Sequence, residues 1–214
     1  MKETIKVILV DDHAVVRAGF RLLLASVDSI DVIAEAERGE AACQLYLEKQ
    51  PDVMVLDLSM PGIGGLETLR RICNRDSHAK ILVFSVHDEA VYVHRAMSAG
   101  AKGYITKSTA PDILPIAIQT IAAGGIYVED GLIGTRPASA NSMAYRAIIE
   151  GLTPREFDVF LLLAKGLTAH KVADELCLGY KTVANYGTQI KNKLNASTAA
   201  ELAHIAMVSG VIKG

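Results

Sequence analysis

No stretch of this 214-residue chain reaches the roughly 18 consecutive apolar residues that a membrane-spanning helix needs. Its start, Met1-Lys2-Glu3-Thr4-Ile5, runs straight into a short apolar segment with no small-residue cleavage site, so a cytoplasmic protein without membrane contact is expected. Cysteine is scarce. Cys43, Cys73 and Cys177 are odd in number, far apart and form no C-x-x-C pair, which favours free buried thiols over a disulfide framework or a thiolate metal site. No internal repeat is present, which excludes solenoid architectures. A large charge of one sign is missing too, since the formal net charge is only -2.

What is present is apolar material: half of the residues are hydrophobic and 21% are charged, enough for real cores and unlike a disordered chain. The length suits two domains. The charge divides unevenly between them. Residues 1–123 hold 13 Lys and Arg against 16 Asp and Glu, whereas residues 151–214 hold 7 against 5. A mildly basic C-terminal end fits nucleic acid and fits an ordinary solvated surface equally well, so motifs must decide.

Short apolar runs at Val7 to Val10, Val32 to Ala34, Val53 to Leu56, Ile81 to Phe84, and Tyr104 with Ile105 alternate with helix-type spacing over 13–27, 39–49, 64–75, 88–98 and 111–123. Runs that are apolar on both faces belong in a parallel sheet covered by helices on each side. Right-handed crossovers then restrict residues 1–123 to a five-stranded, doubly wound α/β fold. Residues 124–150, rich in Gly, Pro, Ser and Asn, read as a linker. From 151 to 214 the patterns at 154–164, 168–176, 180–194 and 198–208 are all helical, which predicts a small all-α second domain.

Asp11 and Asp12 end the first strand and Asp57 ends the third. In a doubly wound sheet, ligands bind outside the carboxyl ends of the strands where the strand order reverses, so these three acids converge if the first and third strands flank that point. Three carboxylates in one crevice repel unless a cation joins them, and an oxygen-only set suits Mg²⁺. A carboxylate beside such a metal can attack phosphorus, and a fixed cation and a hydroxyl would complete the site. Lys107 and Ser85, at the ends of the fifth and fourth strands, supply both. Taken singly, Asp11 and Asp12 also read as helix N-caps, but caps do not explain Lys107 paired with Ser85.

The motifs Val10-Asp11-Asp12-His13, Asp57-Leu58-Ser59-Met60-Pro61-Gly62, Ser85 and Thr106-Lys107-Ser108 resemble, in order and spacing, those of the receiver domains of two-component response regulators. The resemblance implies a flavodoxin-like sheet of order 2-1-3-4-5, with Asp57 as phosphoacceptor for a sensor histidine kinase. Asp12, Asp57 and the Ser59 backbone carbonyl would hold Mg²⁺, assisted by Asp11. Lys107 would pair with the phosphoryl group, Ser85 would move toward it, and Tyr104 would rotate inward behind it. On its own, Tyr104 reads as a half-buried strand aromatic. Val86 follows Ser85 where many receivers carry alanine, and is expected to narrow access to Asp57.

In the second domain Thr153 can cap a helix, Pro154 suits its first position, and Glu156 falls three residues after the cap. Thr168 can cap a second helix, and Leu178-Gly179 makes the turn before Lys181-Thr182-Val183, as a helix-turn-helix requires. The segment 151–214 resembles LuxR/NarL-type output domains through Thr153-Pro154-Arg155-Glu156, Lys181-Thr182-Val183 and Ile190-Lys191-Asn192-Lys193-Leu194. The resemblance implies promoter DNA as partner and a homodimer when active. Lys181, Thr182, Asn185, Tyr186, Gln189 and Lys193 are the candidate DNA contacts, although an isolated polar helix face reads equally as solvated surface. Tyr186 stands where the family often has His, and Gly187 where it often has a basic or bulky residue. The last helix carries a stripe, Ala199, Leu202, Ala203 and Ala206, that fits a dimer surface or core packing. An aspartyl-phosphate phosphatase would need an Asp at position 59. Ser59 stands there, so the chain is not expected to be an enzyme. A protein-interaction role for the weakly charged helices is the remaining alternative.

Overall fold

The computed structural model describes residues 4–132, Tyr145 and 147–212. These fall into two compact units, an α/β unit running through Leu132 and a helical unit after it. In the first, β1 (Ile5–Val10), α1 (Ala14–Ala25), β2 (Ile30–Ala36), α2 (Gly39–Lys49), β3 (Val53–Leu56), α3 (Gly65–Arg75), β4 (Ile81–Ser85), α4 (Ala90–Ser98), β5 (Gly103–Thr106), α5 (Ala110–Ala122) and β6 (Tyr127–Val128) follow one another. Every pairing is parallel, in the order β2-β1-β3-β4-β5-β6. The expected order 2-1-3-4-5 is present, with a sixth strand added beyond β5.

The central strands are apolar on both faces because both faces are covered. Val7, Leu9, Val53 and Val55 share one cluster with Leu24 of α1 and Leu114, Ala117, Ile118 and Ile121 of α5. Ile8, Val10, Met54 and Leu56, one residue out of phase, point the other way and are just as buried. Each such side chain contributes about 1.5–3 kcal/mol when removed from water.

The sixth strand lies within the segment expected as a linker from residue 124. Gly124 takes φ +91 after the C-cap Ala123, and its amide reaches the Ile121 carbonyl. This is a helix stop of the left-handed type, which turns the chain back so that Tyr127 and Val128 pair with Gly103 and Tyr104. Gly103 permits the approach, because a Cβ there would lie 2.4 Å from the Tyr127 carbonyl oxygen. Of the remaining expected linker, residues 133–144 and 146 lie outside the described residues, and 147–150 are helical.

The helical unit contains α6 (Pro154–Ala164), α7 (Ala169–Glu175), α8 (Tyr180–Leu194) and α9 (Ala199–Ser209). Thr153 accepts from the Glu156 amide while the Glu156 carboxylate accepts from the Thr153 amide, a complete capping box, and Thr168 and Thr198 cap α7 and α9. Phe157 and Phe160 of α6 meet a core that includes Val183, Ile190 and Leu194 of α8 and Leu202, Ile205 and Ala206 of α9. Leu202 and Ala206 are thus core residues, while Ala199 is exposed, so core packing accounts for the buried part of the α9 stripe.

Two glycine substitutions should act in opposite directions. A Cβ on Gly65 would lie 2.1 Å from the Asp57 carbonyl oxygen, so Gly65→Ala is expected to lower stability by about 1–3 kcal/mol, read from the receiver transition in urea. A Cβ on Gly187, inside α8, would meet only Leu163 Cδ1 at 3.5 Å. Gly187→Ala should therefore raise the stability of the helical unit by about 0.5–1 kcal/mol in the same measurement.

Candidate acidic site and helix-turn-helix surface

The strand order places β1 beside β3, and the Asp57 amide donates to the Val10 carbonyl, which ties the two carboxyl ends together. Asp57 is 0% exposed and Asp11 3%. From the end of β5, the Lys107 ammonium reaches both, 2.5 Å from Asp11 Oδ2 and 2.8 Å from Asp57 Oδ2. Its position 5.0 Å over the Phe84 ring adds a cation–π contact. Burial works to lower the Lys107 pKa, but the Asp57 and Asp11 carboxylates outweigh it and hold the ammonium above the ordinary lysine value. Burial raises the Asp57 carboxyl above the usual carboxylate value, against the opposing pull of Lys107.

One lysine faces three acids. Ligand atoms of Asp11, Asp12, His13 and Asp57 all lie within 4.8 Å of one another. Asp12 Oδ1 is buried and accepts no hydrogen bond, although His13 Nδ1 is 2.8 Å away in a geometry that makes none. A buried carboxylate oxygen without a donor, in a cluster of excess negative charge, fits a hard divalent cation with oxygen ligands. Arg17 supports the cluster from α1, donating to the Asp11 carbonyl at 2.5 Å and to Glu35.

The other predicted residues surround this core. Ser59 donates its amide to Asp57 Oδ1 at 3.1 Å. Ser85 is fully buried at the end of β4, its carbonyl accepting from the Lys107 amide at 2.7 Å. Tyr104 is 0% exposed, more enclosed than a half-buried strand aromatic, and its hydroxyl donates to the His87 carbonyl at 2.8 Å. Val86 is 64% exposed. The side chain that spans the two connections is His87. Its Nε2 lies 3.0 Å from Ser59 Oγ, and its ring stacks on Tyr92 with centroids 4.0 Å apart. Sequence reasoning missed His87, Arg17 and also Glu129, which accepts from Thr106 beside the site. Only their partners reveal them, and those lie 28, 6 and 23 residues away.

In α8, Val183, Gly187, Ile190 and Leu194 form the buried face. Lys181, Thr182, Asn185 and Gln189 are exposed on the other side, and Tyr186 is half-buried. Lys193 is exposed on the same side, one helical turn beyond Gln189. Its ammonium lies 2.7 and 2.8 Å from the two oxygens of Glu156 at the start of α6. Tyr180, which sequence reasoning passed over, stacks on His170 across the turn, with ring centroids 4.2 Å apart.

Comparisons with known proteins agree with both halves. Residues 7–119 match the response regulator receiver domain, and residues 150–206 match the luxR family of bacterial regulatory proteins. The transcriptional activator protein ExaE of Pseudomonas putida is 38% identical over 210 residues, covering 97% of this chain and 98% of its own. A two-component response regulator of the LuxR family from Aurantimonas sp. SI85-9A1, known as a crystal structure, is 41% identical, with a TM-score of 0.59 over 61% of this chain and 93% of that one. A structure of two RcsB dimers bound to two parallel DNAs shares the fold at 21% identity, with a TM-score of 0.61 over 96% of this chain and 99% of that one.

The Glu156–Lys193 pair yields a prediction with a definite sign. Burial works to raise the Glu156 pKa, but Lys193 and the Thr153 amide outweigh it and hold it below the ordinary glutamate value. The carboxylate therefore contributes stability that is fully present above the ordinary value and is lost as pH falls through the lowered one. Glu156→Gln should cost about 1 kcal/mol at neutral pH. Amide hydrogen exchange in α6 reads the effect, and the difference from wild type should vanish in acid.

Proposed function

Because the chain belongs to the two-component response regulators that join a receiver to a luxR-family DNA-binding domain, we propose that phosphorylation of Asp57 by a sensor histidine kinase controls its binding to promoter DNA. It is a transcription regulator. The observation that carries the proposal is the fully buried Asp57 carboxylate at the end of β3, 2.8 Å from the Lys107 ammonium and grouped with Asp11 and Asp12.

On this reading an Asp57 oxygen attacks the phosphorus of a phosphorylated donor, a carboxyl–phosphate bond forms, and the donor atom leaves with its electron pair. Lys107 then exchanges its contact with Asp57 for a phosphoryl oxygen, and the Ser85 hydroxyl donates to another. Tyr104, inward against the His87 carbonyl, supports the rearranged β4–α4 connection. Asp11, Asp12, Asp57 and the Ser59 carbonyl would hold Mg²⁺, which when bound offsets the charge of the carboxylates and the phosphoryl oxygens. On this reading the chain is itself the phosphoryl acceptor and acts as a regulator rather than as a classical enzyme.

The receiver extends to Leu132 on this reading, followed by a linker and an output domain over 151–214. Lys181, Thr182, Asn185, Tyr186 and Gln189 would meet phosphates and base edges in the major groove, while Lys193 is engaged with Glu156. The RcsB dimers bound to DNA support a homodimer on the promoter as the active form. No helix among the described residues is long and apolar enough to cross a membrane, which accords with a regulator acting in the cytoplasm.

Asp57→Asn should abolish Mg²⁺-dependent labelling by acetyl phosphate together with any phosphorylation-dependent change in promoter affinity. Persistent labelling would remove Asp57 from its role. In gel-shift titrations at several salt concentrations, Lys181→Ala should reduce the salt slope by about 1, whereas Lys193→Ala should leave it unchanged.

A further inference from the structure

The edge of the sheet beside Lys107 is completed by a side chain. In the β5–β6 ladder the Tyr127 amide donates to the Lys102 carbonyl and the Glu129 amide to the Tyr104 carbonyl. In a continued parallel ladder the next donor, the Thr106 amide, would meet the Glu129 carbonyl. It meets the Glu129 carboxylate instead, at 2.6 Å from Oε2, while Thr106 Oγ1 donates to Oε1 at 3.2 Å. One half-buried carboxylate thus takes both donors of a residue that is only 5% exposed.

Thr106 immediately precedes Lys107. On the opposite edge of β5 the Lys107 amide is fixed to the Ser85 carbonyl, so the end of the strand is held from both sides. Thr106 Oγ1 also lies 2.9 Å from Ser108 Oγ and 3.1 Å from Thr109 Oγ1. In that group of hydroxyls the carboxylate accepts and cannot donate, so it fixes the direction in which the others point. A flexible ammonium can meet a phosphoryl oxygen in a defined place only if the backbone that carries it is fixed.

We propose that Glu129 is a positioning residue for phosphorylation of Asp57, acting through Thr106 to hold the strand end from which Lys107 reaches the acceptor. The inference rests on the reading of Asp57 as phosphoacceptor. It also assigns a role to a residue that opens the segment leading toward the helical unit.

The test uses the full chain with acetyl phosphate as donor, measuring the maximal phosphorylation rate, the half-saturating donor concentration and, by calorimetry, Mg²⁺ affinity. Removing a charge-assisted acceptor from a buried amide in Glu129→Ala should lower the maximal rate roughly tenfold. Mg²⁺ affinity should stay unchanged, because the candidate ligands come from β1 and β3 and their following loops. Glu129→Gln keeps an acceptor for the Thr106 amide and should restore the rate to within about twofold. The proposal is overturned if Glu129→Ala is labelled at the wild-type rate while Asp57→Asn is not. It is equally overturned if rate and Mg²⁺ affinity fall together, or if Glu129→Gln is as slow as Glu129→Ala. Labelling of Asp57→Asn at the wild-type rate would instead show that the acceptor itself is misassigned.

Discussion

One lysine ammonium, placed between two buried carboxylates, is the interaction around which the α/β unit is arranged. Lys107 lies 2.5 Å from Asp11 and 2.8 Å from Asp57, and these three residues immediately follow β5, β1 and β3. Charges at that depth persist only when paired, and an ion pair at about 4 Å is worth on the order of 4 kcal/mol at the effective dielectric near a protein surface. The pairing leaves negative charge over, because Asp12 joins the cluster without a hydrogen-bond donor for its buried Oδ1. That surplus is the chemically useful part. A fully neutralised crevice would have no reason to take a cation, and a crevice without Lys107 would hold its acids at a much higher electrostatic cost.

The sheet that makes this meeting possible was legible in the sequence because burial on both faces leaves uninterrupted apolar runs, as in Val7–Val10 and Val53–Leu56. Asp11, Asp12, Asp57, Ser85 and Lys107 were legible for a related reason: each follows such a run and therefore must lie at a carboxyl end. The edge was not. Tyr127 and Val128 are two residues behind a glycine pair, and their place depends on Gly103, which is bare enough for the Tyr127 carbonyl to approach. Composition marks Gly124 and Gly125 as a break and cannot say whether the chain then leaves or turns back. His87, Arg17 and Glu129 were hidden because a polar residue outside a motif, whether on a helix or in a loop, declares itself only through its partner.

Lys193 illustrates the same limit on the helical side. Its position in a lysine-rich signature reads as a phosphate contact, and nothing in that position announces that its ammonium also pairs with Glu156, 37 residues earlier. The capping box makes this possible: Glu156 is held at the start of α6 by Thr153, and the second role of its carboxylate is to receive a cation from the last turn of α8. Helix capping and the placement of the recognition surface are therefore one structure. Gly187 lies on the buried face of the same helix, where a Cβ would meet Leu163 only at ordinary contact distance, so the glycine lowers helix propensity without being required by the packing.

On the proposed reading, the pairing of Lys193 with Glu156 has a consequence for control. Phosphate neutralisation supplies most of the non-specific affinity for DNA, so each lysine engaged internally lowers the binding of a single output domain to any sequence. A headpiece that binds strongly alone would occupy promoters whatever the state of Asp57. Weak binding makes occupancy depend on a second headpiece, since joining two modules raises overall affinity by a factor of about 10²–10⁴ without any new contact. On the proposed reading, the modest net charge of residues 151–214 and the acidic excess at Asp57 are complementary. The first keeps the output silent unless two copies act together, and the second supplies the site whose modification can bring them together.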